Sequence, residues 1–297
     1  MLTPEKIEFL KEKAIDIRVS IIEMLFSAGS GHSAGPLGMA DIFTALFFEL
    51  LNINPEDPFW EDRDRFILSN GHICPVYYAT LAHSGYIPIG ELKSLRKFGS
   101  RLQGHPHREF LPFLETSSGP LGSGLSQAVG MAIAMRMDKG KSDGRFVYCL
   151  LGDGELNEGQ NWEAMMLASK EKLGNLICIV DRNNIQIDGF TEDVMPLESL
   201  FHKFESFGFH VEEIDGHNFV EIYNAVNRAK AVFNGPSVII ARTIPGKGVS
   251  YMERDFRWHG TPPGVMDMKG EPEKQNQVKI ALDELRTLYG EIESEHK

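Results

Sequence analysis

Short apolar runs alternate with longer amphipathic stretches along most of the chain, and this alternation sets the expected architecture. Residues 146–151 (FVYCLL) and 176–180 (LICIV) have the length and side chains of strands buried on both faces of a parallel sheet. Residues 161–171 between them have helical spacing, so the segment is predicted to be a βαβ unit. Residues 63–68, 211–214 and 238–242 read as further strands. Helices are predicted from Pro4, capped by Thr3, to about Phe26, and over 39–49, 76–84, 91–98, from about Gly124 to Met137, 197–207, 219–231 and 273–288. Strands alternating with helices predict an α/β fold, a mostly parallel sheet with helices on both faces. No repeat or linker breaks the pattern, so one domain over 1–297 is expected, with its core at about 10–265 and a helical tail at 270–297.

Candidate chemistry gathers where the two apolar runs end. Gly152-Asp153-Gly154 follows the first, and Asp181-Arg182-Asn183-Asn184 follows the second. Open parallel sheets bind ligands beyond the carboxyl ends of neighbouring strands, so Asp153 and Asn183 are expected to meet there although they are thirty positions apart. A carboxylate, an amide oxygen and a backbone carbonyl form a hard, oxygen-only site suited to Mg²⁺ or Ca²⁺. Gly152 and Gly154 allow a sharp turn and a close approach of backbone N–H groups to a phosphate.

Composition narrows the classes further. With 297 residues, 42% hydrophobic and 24% charged, the chain has the make-up of a globular enzyme, and no apolar run is long enough for a transmembrane helix. A net charge of −12 argues against a nucleic-acid surface, yet leaves phosphate ligands open because a bound metal supplies local positive charge. Cys74, Cys149 and Cys178 form no disulfide or zinc pattern and read as buried thiols of a reducing, cytoplasmic setting.

Four histidines lie beside glycines in predicted loops. His32 sits in the glycine-rich stretch 28–38, His72 in Ser69-Asn70-Gly71-His72, His105 in Gly104-His105-Pro106, and His259 in Trp258-His259-Gly260. Each alone is more often a satisfied polar group; together they can line one edge of the sheet, donating to oxygens and exchanging protons near neutrality. His83, His202, His210 and His296 occupy helical or flanking positions and receive no role. Residues 122–127 do not match the dinucleotide pattern, and Pro245-Gly246-Lys247-Gly248 is not a P-loop.

The Gly152–Gly154 turn, the Asn183 strand end and the closing Ile185-Gln186-Ile187-Asp188-Gly189 resemble the thiamine diphosphate fingerprint in its transketolase version. Ser30-Gly31-His32, Gly35-Pro36-Leu37-Gly38, Leu68-Ser69-Asn70-Gly71-His72, Gly104-His105-Pro106, residues 116–124 and Trp258-His259-Gly260 are similar to further transketolase segments in the same order. The resemblance spans about 10–265 and implies the family's diphosphate-binding domain. It implies that thiamine diphosphate is the cofactor. Asp153, Asn183 and the Ile185 carbonyl would hold Mg²⁺, for which Ca²⁺ or Mn²⁺ can substitute. Gly152, Gly154, His259 and His72 would face the diphosphate, Gly119 and Leu121 the aminopyrimidine, and Ile187 would pack on the cofactor. His32, His105, His259 and Glu158 are implied as catalytic, the first two at sugar hydroxyls near the reacting carbon. Glu158 is implied to bridge subunits close to the partner's carboxylate, with Glu163 about a turn further on. Ser33, Ala34 and Glu155 depart from the family pattern.

The activating glutamate and the aromatic residues around the pyrimidine belong, in full-length transketolases, to later domains that nothing after Gly264 resembles. The expected protein is therefore the N-terminal subunit of a split transketolase, in an α₂β₂ assembly with a separate C-terminal subunit. It would move a two-carbon ketol unit from a ketose phosphate to an aldose phosphate. Alternatives are an α-type subunit of a 2-oxoacid dehydrogenase or decarboxylase, a 1-deoxyxylulose-phosphate synthase, and a non-catalytic thiamine diphosphate-binding module. No nucleic acid or membrane partner is expected.

Overall fold

A computed structural model describes residues 2–140 and 144–287. In chain order the helices are α1 (Pro4–Ala28), α2 (Ala34–Ala45), α3 (Cys74–His83), α4 (Ser123–Lys139), α5 (Gly159–Lys170), α6 (Thr191–Val194), α7 (Leu200–Ser206), α8 (Phe219–Lys230) and α9 (Lys274–Thr287). The strands are β1 (Arg65–Leu68), β2 (Val147–Gly152), β3 (Leu176–Arg182), β4 (Ile185–Gln186), β5 (Gly189–Phe190), β6 (His210–Asp215) and β7 (Ser237–Arg242). Five strands form one parallel sheet in the order β1-β2-β3-β7-β6, and β4 pairs with β5 in a small antiparallel hairpin. Every carboxyl end of the sheet therefore lies along one edge.

Alternation along the central strands divides the core in two. Tyr148, Leu150, Ile177, Ile179, Ile239 and Ala241 point to the side covered by α1, α2, α3 and α8. Val147, Cys149, Leu151, Cys178, Val180 and Ile240 point to the side covered by α4, α5 and α7. Helices on both faces explain why these strands read as unbroken apolar runs, since neither face meets water.

A buried polar network fastens the first of these layers to the sheet edge. Arg18 of α1 donates from both terminal nitrogens to Asp41 of α2, at 2.9 and 2.6 Å, and from Nε to the Leu37 carbonyl at 3.1 Å. His217, just past β6, donates from Nδ1 to Asp41 at 2.7 Å and accepts the Ile244 N–H at Nε2 at 2.8 Å. That backbone donor fixes the tautomer with its proton on Nδ1. Burial pushes the Asp41 carboxyl up, but Arg18 and His217 overcome it and hold the group well below the usual carboxylate range.

The helices predicted from sequence are found, with four differences. The stretch 28–38, expected as loop, is loop only to Ser33; α2 starts at Ala34 and ends at Ala45, where a π-helical turn Leu46–Leu50 follows. Pro36 is tolerated because it lies in the first turn, whose N–H groups need no helical partner. Gly38 reflects close packing, as a Cβ there would lie 2.8 Å from the Ile244 carbonyl oxygen. Residues 91–98 form no α-helix; a 3₁₀ stretch, Ile89–Ser94, ends before Arg96, which takes positive φ. The predicted helix 197–207 shortens to α7, whose cap is Ser199 accepting the His202 N–H. The tail predicted at 270–297 is helical over Lys274–Thr287, and 288–297, with Leu288 and His296, lie outside the described residues.

Candidate functional site

Register brings the two strand ends together. Gly152 pairs with Asp181 across β2 and β3, so Asp153 comes to rest beside the turn that follows β3. Asn184 takes positive φ there, a conformation asparagine tolerates, and donates its N–H to Asp153 at 2.8 Å. Asp153 also accepts from the Gly154 N–H at 2.7 Å, from Arg182 at 3.0 Å and from Thr191 at 3.4 Å. Asp181, two residues before Asn183, orients it by accepting from Nδ2 at 2.8 Å, while Oδ1 accepts the Ile185 N–H at 3.0 Å.

Asp153, Asp181 and Asn183 line a cleft of about 450 Å³ with His32, Asn70, His72, His105, Gly119, Leu121, Gly152, Gly154, Glu155, Ile185, Ile187 and His259. Of the predicted site residues, only Glu158 lies off its wall; it is exposed at the start of α5, and a Cβ on Gly122 would lie 2.8 Å from its own Cβ. The Gly152 N–H is already committed to Glu155 at 3.0 Å, so this glycine contributes room more than a free donor.

Three histidine rings stand together. The ring centroids of His32 and His72 are 4.8 Å apart, those of His32 and His259 5.4 Å, and those of His72 and His259 5.3 Å. His105 stands exposed nearby, close to Arg96. Burial, then repulsion from neighbouring His259 and Arg96, pushes the His32 imidazole down to about 3, and burial alone takes His259 down to about 4. His72 is driven well below its ordinary value by the same desolvation. The cluster is thus neutral at physiological pH, each ring able to donate at one nitrogen and accept at the other.

These depressed values predict a pH dependence. An unfolded histidine takes up a proton near 6.5, which the folded cluster refuses until about pH 4 or below. The cluster's full stability is therefore present above 6.5 and is lost as pH falls toward 4. Thermal melts of the cofactor-free chain should show the midpoint falling between pH 7 and 5, with a flatter slope in His259→Asn. An unchanged slope in that variant would refute neutral burial of His259.

Residues outside the sequence-predicted set complete the wall or brace it from behind. Asn70 contributes an orphaned buried Oδ1, and His32 Nδ1 and His259 Nδ1 are likewise buried without a partner. Ser33 donates to the Trp258 carbonyl at 3.0 Å and to the Thr261 carbonyl at 2.6 Å, tying the His32 loop to the His259 loop. Arg182 joins Asp153 to Glu192 at 2.6 Å and Glu198 at 2.8 Å, clamping the segment that carries Ile185 and Ile187. Asn70 is visible in the sequence as a polar residue at a strand end; Ser33 and Arg182 show their meaning only through distant partners.

The donor set fits a divalent cation. Asp153, Glu155 and Asp181 are all buried around the cleft, where Arg182 is a buried cation paired with Asp153. Burial, helped by Asp153, pushes the Asp181 carboxyl up to about 7. Among the described residues no cluster of three His, Cys, Asp or Glu side chains suits a metal, so such an ion would rely on Asp153, Asn183, a carbonyl and its ligand's own oxygens. The buried imidazole and amide atoms that have no partner in the protein suit hydrogen bonds to a polar ligand.

The fold and site define an α/β domain of the class that binds a diphosphate cofactor at its carboxyl edge. The family model described as "Transketolase, thiamine diphosphate binding domain" matches residues 10–277, and the chain belongs to that family. It is 42% identical over 250 residues to a 6-deoxy-6-sulfo-D-fructose transketolase subunit from Clostridium sp. (strain MSTE9), covering 84% of this chain and 90% of that one. It is 39% identical over 277 residues to an apulose-4-phosphate transketolase subunit from Actinobacillus succinogenes, covering 93% and 95%. A crystal structure of a transketolase from Pichia stipitis superposes with a TM-score of 0.84 at 35% identity, covering 95% of this chain and 41% of that one. The chain thus spans about two fifths of such longer transketolases.

Proposed function

We propose that this chain is the thiamine diphosphate-binding subunit of a two-subunit transketolase, moving a two-carbon ketol unit between sugars. The observation that carries the reading is the convergence of Asp153, Asn183 and the His32–His72–His259 cluster in one cleft. Similarity in length and sequence to proteins named as transketolase subunits supports it. Asp153, Asn183 and the Ile185 carbonyl would hold Mg²⁺, with Ca²⁺ or Mn²⁺ as substitutes, and His72, His259 and Gly154 would meet the diphosphate. Gly119, Leu121 and Ile187 would border the organic part of the cofactor. Thiamine diphosphate, when bound, supplies a carbon nucleophile and an electron sink. His32 and His105 would take hydrogen bonds from substrate hydroxyls and, being neutral, could accept and return a proton there.

A partner subunit would complete the site. Leu121 (37% exposed) and Ile187 (66%) give the cleft uncovered apolar surface, and exposed Glu158 stands beside Gly122, next to Leu121. An α₂β₂ assembly in the cytoplasm suits these surfaces and the three buried free thiols. Phosphorylated sugars are the substrate class, with sulfonated and branched relatives in the test panel because the related subunits are named for them.

The test is ketol transfer from xylulose 5-phosphate, and from apulose 4-phosphate or 6-deoxy-6-sulfofructose, with Mg²⁺ and thiamine diphosphate. Activity is expected only when a pyrimidine-binding subunit is added. Turnover by this chain alone would overturn the two-subunit reading; silence with every donor despite bound cofactor would overturn ketol transfer.

A further inference from the structure

We propose that Glu155 is a positioning residue for the cofactor, a buried anionic latch that holds the cleft-lining loop 119–122 against two strand ends. The proposal rests on the thiamine diphosphate reading of the cleft. Glu155 is 3% exposed, yet its carboxylate gathers donors from three separate segments. Oε1 accepts the Ser69 hydroxyl at 2.5 Å and the Gly122 N–H at 2.6 Å, and Oε2 accepts the Gly152 N–H at 3.0 Å. Ser69 in turn accepts the Gly124 N–H at 3.1 Å.

Each tethered segment carries cleft residues. Asn70 and His72 follow Ser69, Gly119 and Leu121 precede Gly122, and Asp153 follows Gly152. The local turn does not need this carboxylate: Asp153 caps the Gly154 N–H at 2.7 Å, and the Leu156 N–H bonds to the Asp153 carbonyl at 2.9 Å. What does need it is the start of α4. Gly122, at φ 82°, is the helix cap and has no side chain to satisfy the first N–H groups. Glu155 and Ser69 supply those acceptors from other parts of the chain, and an anion is favoured at a helix N-terminus. The loop is also wedged from outside, as a Cβ at Gly122 would stand 3.0 Å from Gln160 Cγ. Loop 119–122 is therefore set in place before any ligand arrives. Preorganisation of this kind lowers the ordering cost of binding.

The experiment compares the full chain with Glu155→Ala, Glu155→Gln and Ser69→Ala. Two readouts are taken: amide hydrogen exchange over 121–124 without cofactor, and calorimetric titration with thiamine diphosphate and Mg²⁺, with the pyrimidine-binding subunit present. Loss of charge-assisted bonds predicts exchange about tenfold faster and a Kd about tenfold weaker in E155A, with E155Q between it and the wild type. The kcat at saturating cofactor and the sugar KM should stay within about threefold of wild type, the split expected when only cofactor placement is disturbed. Unchanged exchange, or an unchanged Kd, would overturn the proposal, as would a lost kcat with Kd intact. Should E155A not fold, S69A removes two of the bonds while keeping the carboxylate and decides by the same criteria. A wild-type enzyme that takes up no thiamine diphosphate overturns the functional reading and the cofactor role together. Exchange then still separates a real latch, faster in the variants, from none.

Discussion

Asp153→Ala is expected to abolish metal-dependent uptake of thiamine diphosphate, weakening it on the order of 100-fold or more. The argument has two parts. Asp153 is the carboxylate that the register of β2 and β3 delivers next to Asn183, so on the proposed reading its loss removes the charged metal ligand. It also organises its surroundings, accepting from Gly154, Arg182, Asn184 and Thr191. Without it, the hairpin segment bearing Ile185 and Ile187 loses its tie to the sheet edge, although Arg182 keeps Glu192 and Glu198. Asp153→Asn retains an acceptor of the same shape and should lose metal affinity while preserving more of the fold. Calorimetry with Mg²⁺ and thiamine diphosphate, beside thermal melts, separates the two effects. Cofactor uptake by D153A at wild-type affinity would remove this carboxylate from the site.

The largest effect on stability is expected at Asp41, which is not part of the cleft wall. Its carboxylate is shared between Arg18 and His217, and both side chains of the Arg18–Asp41 pair are essentially inaccessible. Asp41→Ala leaves the Arg18 guanidinium buried without a counterion, a loss of roughly 3–5 kcal/mol in unfolding free energy. It also frees His217, whose Nε2 holds the Ile244 N–H and so the loop that runs on to His259. Urea denaturation should show a lower midpoint with an unchanged slope. A loss below about 1 kcal/mol would mean that water reaches Arg18 and the network is not closed as described.

Much of the architecture was legible because it is written in local pattern. Buried parallel strands have little choice but continuous aliphatic residues, so 146–151 and 176–180 stood out and their ends pointed to Asp153 and Asn183. The glycine-rich segment misled at 34–38 because glycine density ordinarily marks a loop. Here Gly35 and Gly38 answer to Ile73 and Ile244, which a side chain would strike, and the backbone is helical. The residues that depart from the family pattern gained meaning only in three dimensions. Ser33 bonds across 225 positions to Trp258, and Glu155 across 86 to Ser69.

By itself, then, the sequence determined the α/β class, the meeting of Asp153 and Asn183 at neighbouring strand ends, and the set of histidines available to one edge. Those features depend on periodicity and on residue type at strand ends. The tertiary structure alone decided that His32, His72 and His259 meet as a neutral cluster. It alone decided that Arg182 shares Asp153 with two glutamates, and that Glu155 latches the loop before α4. The reason is physical: desolvation and hydrogen bonding depend on what the fold brings within a few ångströms, and those neighbours are remote in the chain.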